Sequence, residues 1–467
     1  MKIVFKVEDF LKIEKAEIDI TNFCVFIGNN NSGKTKLMEL IYGTLEYLSS
    51  KTPDIDYEFE NDRVVFHKER LAEFVNFANE VLENEKDEIL QSIFNKELSI
   101  GNMRLEVADL EEGYEAAIVT KENVDTVYKE NADLRKVFGD VGSVLKKING
   151  VVISEYREKD EMPGKLLSVV FYPDEEIDRE AVKEDINKTI MGKVLGVTGS
   201  RLFFPASRMG LAMLYREYFN SVGSERTIWF DGKQSFDRDT YQQSDHVTRP
   251  VLDFLRFLQG YSYNVSRAKS NAGLIEFMNE HLLEGALDEK GEMASYTPKN
   301  SDLRVPLYLS SSMINELDPI VKMLTDRKGT TMLFYDEIET SLHPLKQLEM
   351  VKLLNRLNNS GIRIIVATHS DTFVTKLNNL LLFSRTKKVG KQPVSIRNGE
   401  IEINSDDLLK TDDIHIYQFI NKSNGRSEVS ELEFRTAPMV GYSFELFEDS
   451  STSLFEETKL ACGSLLL

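Results

Sequence analysis

At 467 residues, with 41% apolar and 29% charged residues, the chain has an ordinary globular balance and room for two to four units of ~100–200 residues each. Its net charge of −20, from 77 acids against 57 bases, excludes wholesale phosphate neutralisation as a way of holding DNA. No apolar run is long enough to cross a bilayer, acids interrupt MKIVFKVEDF where a signal peptide stays apolar, and Cys24 and Cys462 are the only cysteines; a cytoplasmic chain without a disulfide scaffold is expected.

The first predicted element is a strand, NFCVFIG, ending at Gly28. It runs directly into GNNNSGKT, residues 28–35. Gly28, Asn29, Asn30, Asn31, Ser32, Gly33, Lys34 and Thr35 form the phosphate-loop pattern. Small residues let backbone N–H groups wrap phosphate, the lysine reaches the β and γ oxygens, and the hydroxyl takes Mg²⁺. Leu37, Ile41, Leu45 and Leu48 then recur at helical spacing, so a helix N-terminus points at the loop.

Residues 70–94 read as an amphipathic helix and 167–173 as a strand. No heptad pattern is sustained, which excludes a long coiled-coil arm. LFFPASRMGL, residues 202–211, places Arg208 between the phosphate loop and the later motifs, where it is a candidate nucleotide sensor. A polar stretch from about 215 to 300 reads as a helical lid, with Trp229 and Phe230 as core residues.

Ser310, Ser311 and Ser312 precede a helix carrying Met313, Leu317 and Ile320 on one face. Serine hydroxyls and helix N–H groups together make an anion site; the alternative is plain N-capping. TTMLFYDEIETSLHP is a strand ending at Asp336 and Glu337. The first acid can hold Mg²⁺ and the second can orient or deprotonate water. IRIIVATHS delivers His369 to the end of another strand, the edge where open parallel sheets bind ligands and where a histidine can sense a γ-phosphate.

The stretch 376–397 holds six bases and no acids, a solvated surface or a local DNA groove that includes Lys387, Lys388 and Lys391. Downstream lie paired strands (IHIYQFINK, RSEVSELEF) and an acidic helix. None of the six histidines sits in a metal-binding or HNH-like cluster by spacing.

Phosphate loop, serine-led helix, strand–Asp–Glu and strand–His occur in this order, and the arrangement resembles the ABC-class ATPase head, nearest the AAA-type heads related to RecF and the OLD proteins. FKVEDFLKIEKAEIDI, LFFPASRMGL and DEIETSLHP carry the resemblance, over 1–50 and roughly 195–385. It implies an α/β P-loop NTPase head, a mixed sheet flanked by helices. The head would span 1–50 and 195–405, with an α+β insertion at 51–194 and a strand–helix extension at 406–467.

The resemblance further implies ATP and Mg²⁺ sandwiched between two copies. Lys34 and Thr35 would hold phosphate and metal, with Asp336 behind the metal. Glu337 would be the base, His369 the switch, and Ser310–Ser312 would close the site in trans. Leu342 and His343 would lie at the seam between heads. The family commonly has Ser-Gly-Gly where this chain has SSSM, which implies slow hydrolysis or a sensor; no Q-loop glutamine is evident, Gln91 being poorly placed.

The tail lacks the glutamate and Asp-x-Asp pattern of the Toprim nuclease that OLD proteins carry. The resemblance therefore extends to ATPase subunits of two-gene anti-phage systems such as Septu and PARIS. It implies a homo-oligomer, a dimer or higher, that controls a nuclease or toxin encoded by a neighbouring gene. DNA contact would be weak or indirect, and no membrane is involved. The alternative is a RecF-like repair or replication ATPase that clamps DNA; a transporter energiser is disfavoured by the long insertion.

Overall fold

The computed structural model describes residues 2–109, 113–131, 134, 148–156, 166–173, 178–213, 247–288, 294–385, 394–396, 399–410, 413–436, 440–444, 455–457 and 459. Trp229, Phe230, Lys387, Lys388, Lys391 and Cys462 lie outside them.

Alternation sets the first hairpin. β1 (Lys2–Phe10) and β2 (Ile13–Asp19) pair antiparallel. Ile3, Phe5 and Val7 face a core, while Lys6 on the other face bridges Glu17 and Glu106. β3 (Phe23–Gly28) is buried at every position. Its period of two divides it between two cores, Cys24 and Phe26 on one side of the sheet, Phe23, Val25 and Ile27 on the other. The helix Lys34–Ser49 follows the loop and buries Leu37, Ile41, Leu45 and Leu48.

The predicted helix at 70–94 is two helices, Lys68–Asn84 and Lys86–Phe94. Glu85 leaves helical geometry (φ −111°, ψ 17°), and its carboxylate takes Tyr47 Oη and Lys51 Nζ. That break lets Ile89, Leu90 and Ile93 join the core beneath Lys34–Ser49. β4 (Arg63–Phe66), β6 (Gly113–Val119), β7 (Ile148–Tyr156) and β8 (Leu166–Pro173) form a separate antiparallel sheet. β5 (Asn102–Ala108) instead pairs with β1 at the edge of the main sheet. The 51–194 segment thus has its own sheet and also lends a strand to the main sheet.

After β9 (Ser200–Phe204), the described part of the expected lid is helical over Arg249–Gly260, Val265–Ser270 and Ala272–Phe277. It then becomes a three-stranded sheet of β10 (Gly285–Asp288), β11 (Ser295–Pro298) and β12 (Val305–Pro306). A purely helical lid is therefore corrected. Phe254, Phe277 and, on the π-helical turn Met278–Leu282 that follows, Met278 and Leu282 are buried in the second core, the first against β9 and the others against the helix Pro344–Asn359.

β13 (Thr330–Tyr335) and β14 (Arg363–Thr368) are buried parallel strands. β15 (Val394–Ile396) and β16 (Gly399–Ile401) form a small hairpin. β17 (Ile414–Asn421) and β18 (Ser427–Glu431) pair antiparallel. Their placement revises the reading of 406–467 as an appended extension. β17 lies parallel to β3 over Ile414–Phe419, inside the sheet, because Ile416, Tyr417 and Phe419 have buried apolar side chains to contribute. It also brings His415 against Asp19 and Asp413, a grouping invisible in the spacing of histidines along the chain.

The result is a mixed α/β fold with a nine-stranded sheet in the order β5-β1-β2-β18-β17-β3-β14-β13-β9. β9, β13, β14, β3 and β17 are parallel, so their C-terminal ends gather at one edge. No helix among the described residues is long and apolar enough to cross a membrane.

Candidate nucleotide site

The gathered strand ends place four segments together: the loop after β3, Arg208 beyond β9, Asp336 after β13 and His369 after β14. This is the edge where parallel sheets leave room for a ligand.

Backbone geometry shapes the loop. Gly28 has φ 148°, and a Cβ there would lie 2.2 Å from the Phe419 carbonyl oxygen. Gly33 has φ 97° at the helix N-cap, a left-handed position that a side chain resists. That N-terminus carries no side-chain cap and no acid in its first turn, so its N–H groups remain available to an anion. Lys34 Nζ donates to the carbonyls of Gly28 (3.0 Å) and Asn29 (2.8 Å) and lies 3.4 Å from Ser32 Oγ. Burial lowers its pKa to about 8, against the nearby charges of Asp336, Glu339 and Glu337.

Thr35 Oγ1 donates to Asp336 Oδ2 at 2.8 Å. Asp336 is 2% exposed, and its Oδ1 has no hydrogen-bond partner. Burial raises this carboxyl to about 6, with the Thr35 hydroxyl opposing and Glu337 adding to the rise. A hydroxyl, a carboxylate and an orphaned buried oxygen beside a phosphate loop fit a hard divalent cation such as Mg²⁺. Glu337 has φ 46°, a strained conformation for a glutamate, and its carbonyl accepts from Arg208 Nη2 at 3.3 Å.

His369 is partly buried. Burial and then the Lys34 charge lower its pKa, which favours the neutral ring. Glu339 was not singled out in the sequence, yet it clamps this strand end. Its carboxylate accepts from Thr368 Oγ1 at 2.8 Å and from the His369 N–H at 2.6 Å. The acid two residues beyond the Asp-Glu pair was the available signal.

A second group was hidden in the tail. The Asn29 N–H donates to the Phe419 carbonyl at 3.2 Å. Asn421 uses its N–H toward Asn29 Oδ1 (3.3 Å) and its amide toward the Asn30 carbonyl (3.1 Å). Lys12 Nζ reaches the Asn31 carbonyl at 3.1 Å, and Asn31 itself has φ 57°. The end of β17 thus props the loop from behind.

The serines stand elsewhere. Ser311 caps the helix Ser312–Thr325, its Oγ accepting from the Ile314 N–H at 3.4 Å. Asn315 pins the turn through the carbonyls of Leu307, Ser310 and Ser311. Among the described residues no hydrogen bond or ion pair joins Ser310, Ser311 or Ser312 to the loop of the same chain, and Ser311 and Ser312 are exposed. Leu342 is buried, while His343 caps the helix Pro344–Asn359 by accepting from the Leu345 N–H.

The expectation of Arg208 as a nucleotide sensor is overturned. It is completely buried, pairs with Glu316 at 2.6 Å, and donates to the carbonyls of Pro205 and Asp336. Its guanidinium lies 4.5 Å from the Tyr335 ring centroid. Its guanidinium is thus committed to buried Glu316 and to backbone carbonyls that include those of the acid pair, so it braces the site from beneath and does not face a ligand.

Residues 250–375 match the family described as "AAA domain, putative AbiEii toxin, Type IV TA system". No curated protein matches the chain. Among solved structures, the chain is similar to an SMC head bound to the C-terminal winged-helix domain of ScpA. Identity is 11%, the match covers 93% of this chain and 98% of that one, and the TM-score is 0.36. A Pyrococcus furiosus SMC head with an extended coiled coil, bound to the C-terminal domain of ScpA, gives 11% identity, coverages of 98% and 100%, and TM-score 0.34. The SMC head domain of Thermotoga maritima gives 10%, coverages of 93% and 100%, and 0.31.

Proposed function

From that AAA match and the loop geometry, we propose that this chain binds Mg²⁺–ATP at residues 28–35 and Asp336 and hydrolyses it slowly. The observation that carries this reading is the Thr35–Asp336 hydrogen bond with the orphaned Oδ1 beside it. Thr35 Oγ1 and Asp336 would hold the metal, and Mg²⁺ when bound would neutralise phosphate charge. Lys34 would exchange the loop carbonyls for phosphate oxygens. Glu337 would take a proton from water at its carboxylate, and neutral His369 would contact the γ-phosphate. Exposed Ser311 and Ser312, with Ser310 beside them, would close the site of a second copy.

Hydrolysis would act as a switch within a complex. The family description names the matched AAA domain a "putative AbiEii toxin" of a two-component toxin–antitoxin system. That two-component setting, with a sequence that offers no nuclease pattern of its own, supports a regulatory ATPase of a two-gene anti-phage assembly whose nuclease is a separate polypeptide; the description's wording makes this chain the toxin as the second reading. The nucleotide arm is tested by calorimetry. Lys34→Ala should lose ATP binding by at least about 100-fold, since charge-assisted bonds to phosphate carry much of the affinity, while its circular dichroism stays unchanged. Wild-type affinity in that variant would refute the site. The assembly arm is tested by phage challenge with and without the neighbouring gene; full protection by this chain alone would refute the two-component reading.

A further inference from the structure

A second cluster lies at the other end of the central strands, among residues that the nucleotide site does not use. Asp19 ends β2, Asp413 precedes β17, and His415 is the second residue of β17. His415 Nε2 is 3.2 Å from Asp19 Oδ2 and 3.0 Å from Asp413 Oδ1. These three atoms all lie within 4.8 Å of one another. On the far side of the ring, Nδ1 is 2.5 Å from Glu431 Oε1 on β18.

We infer that Asp19, Asp413 and His415 form a binding site for a divalent transition-metal ion of the zinc type, with Glu431 orienting the histidine. An imidazole nitrogen carries one proton or one lone pair, yet two carboxylate oxygens converge on this Nε2. Metal–ligand bonds of about 2.0–2.1 Å set ligand atoms roughly 3.3 Å apart in a tetrahedron, close to the two separations seen. Asp19 is 2% exposed. Its Oδ1 is taken by the Thr21 N–H and hydroxyl, while Oδ2, buried and aimed at the cluster, has no hydrogen-bond partner.

The chemistry selects the ion class. A histidine nitrogen with two carboxylates suits zinc, cobalt or manganese better than magnesium or calcium, which prefer all-oxygen shells. Two carboxylates match a divalent charge. Without metal, burial of the ring is outweighed by the Glu431, Asp413 and Asp19 carboxylates, which raise its pKa to about 9, so the ion would bind by displacing a proton from His415. A carboxylate on the second ring nitrogen is the usual way a ligating histidine has its tautomer set. Lys2 Nζ, 3.2 Å from Asp19 Oδ2, is the competing cation; its side chain is 47% exposed and can turn to solvent. Bound metal would tie the end of β2 to the start of β17. Phe419, four residues further along β17 and about 13 Å away at 3.3 Å per residue, supports the phosphate loop.

The test uses the full chain, metal-stripped and free of nucleotide, titrated with Co²⁺ and then Zn²⁺. Wild type should bind one equivalent of Co²⁺ with visible d–d absorption that Zn²⁺ displaces, and Zn²⁺ should raise its melting temperature. His415→Gln and Asp413→Asn should each weaken Co²⁺ binding at least tenfold, while Asp336→Asn leaves it unchanged. Should His415→Gln fail to fold by circular dichroism, Asp413→Asn decides, its side chain being 41% exposed. The inference is overturned if wild type shows no saturable Co²⁺ band, as for a protonated His415 held by its carboxylates. It is equally overturned if the cluster variants bind like wild type, or if Asp336→Asn abolishes binding.

Discussion

Arg208 and Glu316 form an ion pair at 2.6 Å in which both side chains are at most 4% exposed. It is a charge contact more than an aligned hydrogen bond, since neither Nε nor Oε2 finds hydrogen-bond geometry. Arg208 also holds the carbonyls of Asp336 and Glu337, and Glu316 lies on the serine-led helix. One guanidinium thus joins the acid pair to the segment that the proposed mechanism assigns to a second copy's site.

Removing either partner leaves a buried charge without its counterion. Arg208→Met should destabilise the fold by about 3–5 kcal/mol, read from the urea midpoint. Arg208→Met with Glu316→Leu should recover much of that loss, because the apolar pair has no charge to desolvate. A single-variant loss below about 1 kcal/mol would mean the pair is not the brace described.

Glu337 combines a strained backbone with the proposed base. Glu337→Gln keeps shape and strain, so it should retain ATP while hydrolysis falls about 10²–10⁴-fold. Glu337→Gly relieves φ 46° and should raise stability by roughly 1 kcal/mol, with hydrolysis lost as well. Single-turnover assays and thermal melts separate the two. Undiminished hydrolysis in Glu337→Gln would remove it as the base.

Mg²⁺–ATP affinity should be greatest between about pH 6 and pH 8, since Asp336 sits at about 6 and Lys34 at about 8. Below the first value Asp336 is protonated and cannot ligate metal; above the second Lys34 is neutral and grips phosphate less. Stability of the nucleotide-free protein runs the other way. Asp336, raised from 3.8, contributes stability that is complete below 3.8 and lost as pH rises through about 6. Lys34, lowered from 10.5, imposes a cost that is complete below about 8 and relieved as pH rises toward 10.5. Calorimetry across this range checks the affinity; Asp336→Asn should lower it at every pH, remove the acid limb and, by taking a negative charge from beside Lys34, move the alkaline limb to lower pH.

Asn421 makes two hydrogen bonds to the phosphate loop from β17. Asn421→Ala keeps the backbone N–H bond to Asn29 and loses only the amide bond to the Asn30 carbonyl. It should therefore weaken ATP binding about 2–10-fold, at roughly 0.5–1.5 kcal/mol for one bond, with little change in melting temperature. Gly28→Ala should be far more damaging, because its Cβ meets the Phe419 carbonyl at 2.2 Å and backbone cannot rotate aside. Equal effects from the two would show that the loop tolerates movement of β17.

Legibility followed range along the chain. The mixed α/β fold and the strand–loop–helix unit at 23–49 were readable, because each depends on neighbours in sequence: an apolar run, a glycine at the turn, a helical repeat. Asp336 and His369 were candidates for the same reason, as polar residues ending buried strands; their common sheet edge follows from parallel pairing of β13, β14 and β3. The serines show the limit of such reading. A serine before a helix caps it whether or not it also meets a ligand, and Ser311 does cap.

What the tertiary structure alone decided are pairings between distant segments. Periodicity marked 414–421 as a strand but carried no information on its partner, so its place beside β3 and its support of Asn29 and Asn30 were unreadable. The burial of Arg208 against Glu316 and the meeting of Asp19 with His415 were hidden for the same cause. A charged residue in a sequence looks solvent-exposed or functional; only a fold that surrounds it with an opposite charge makes it structural. Local propensity is written in each stretch of chain, whereas side-chain charge is interpreted by whatever long-range packing places next to it.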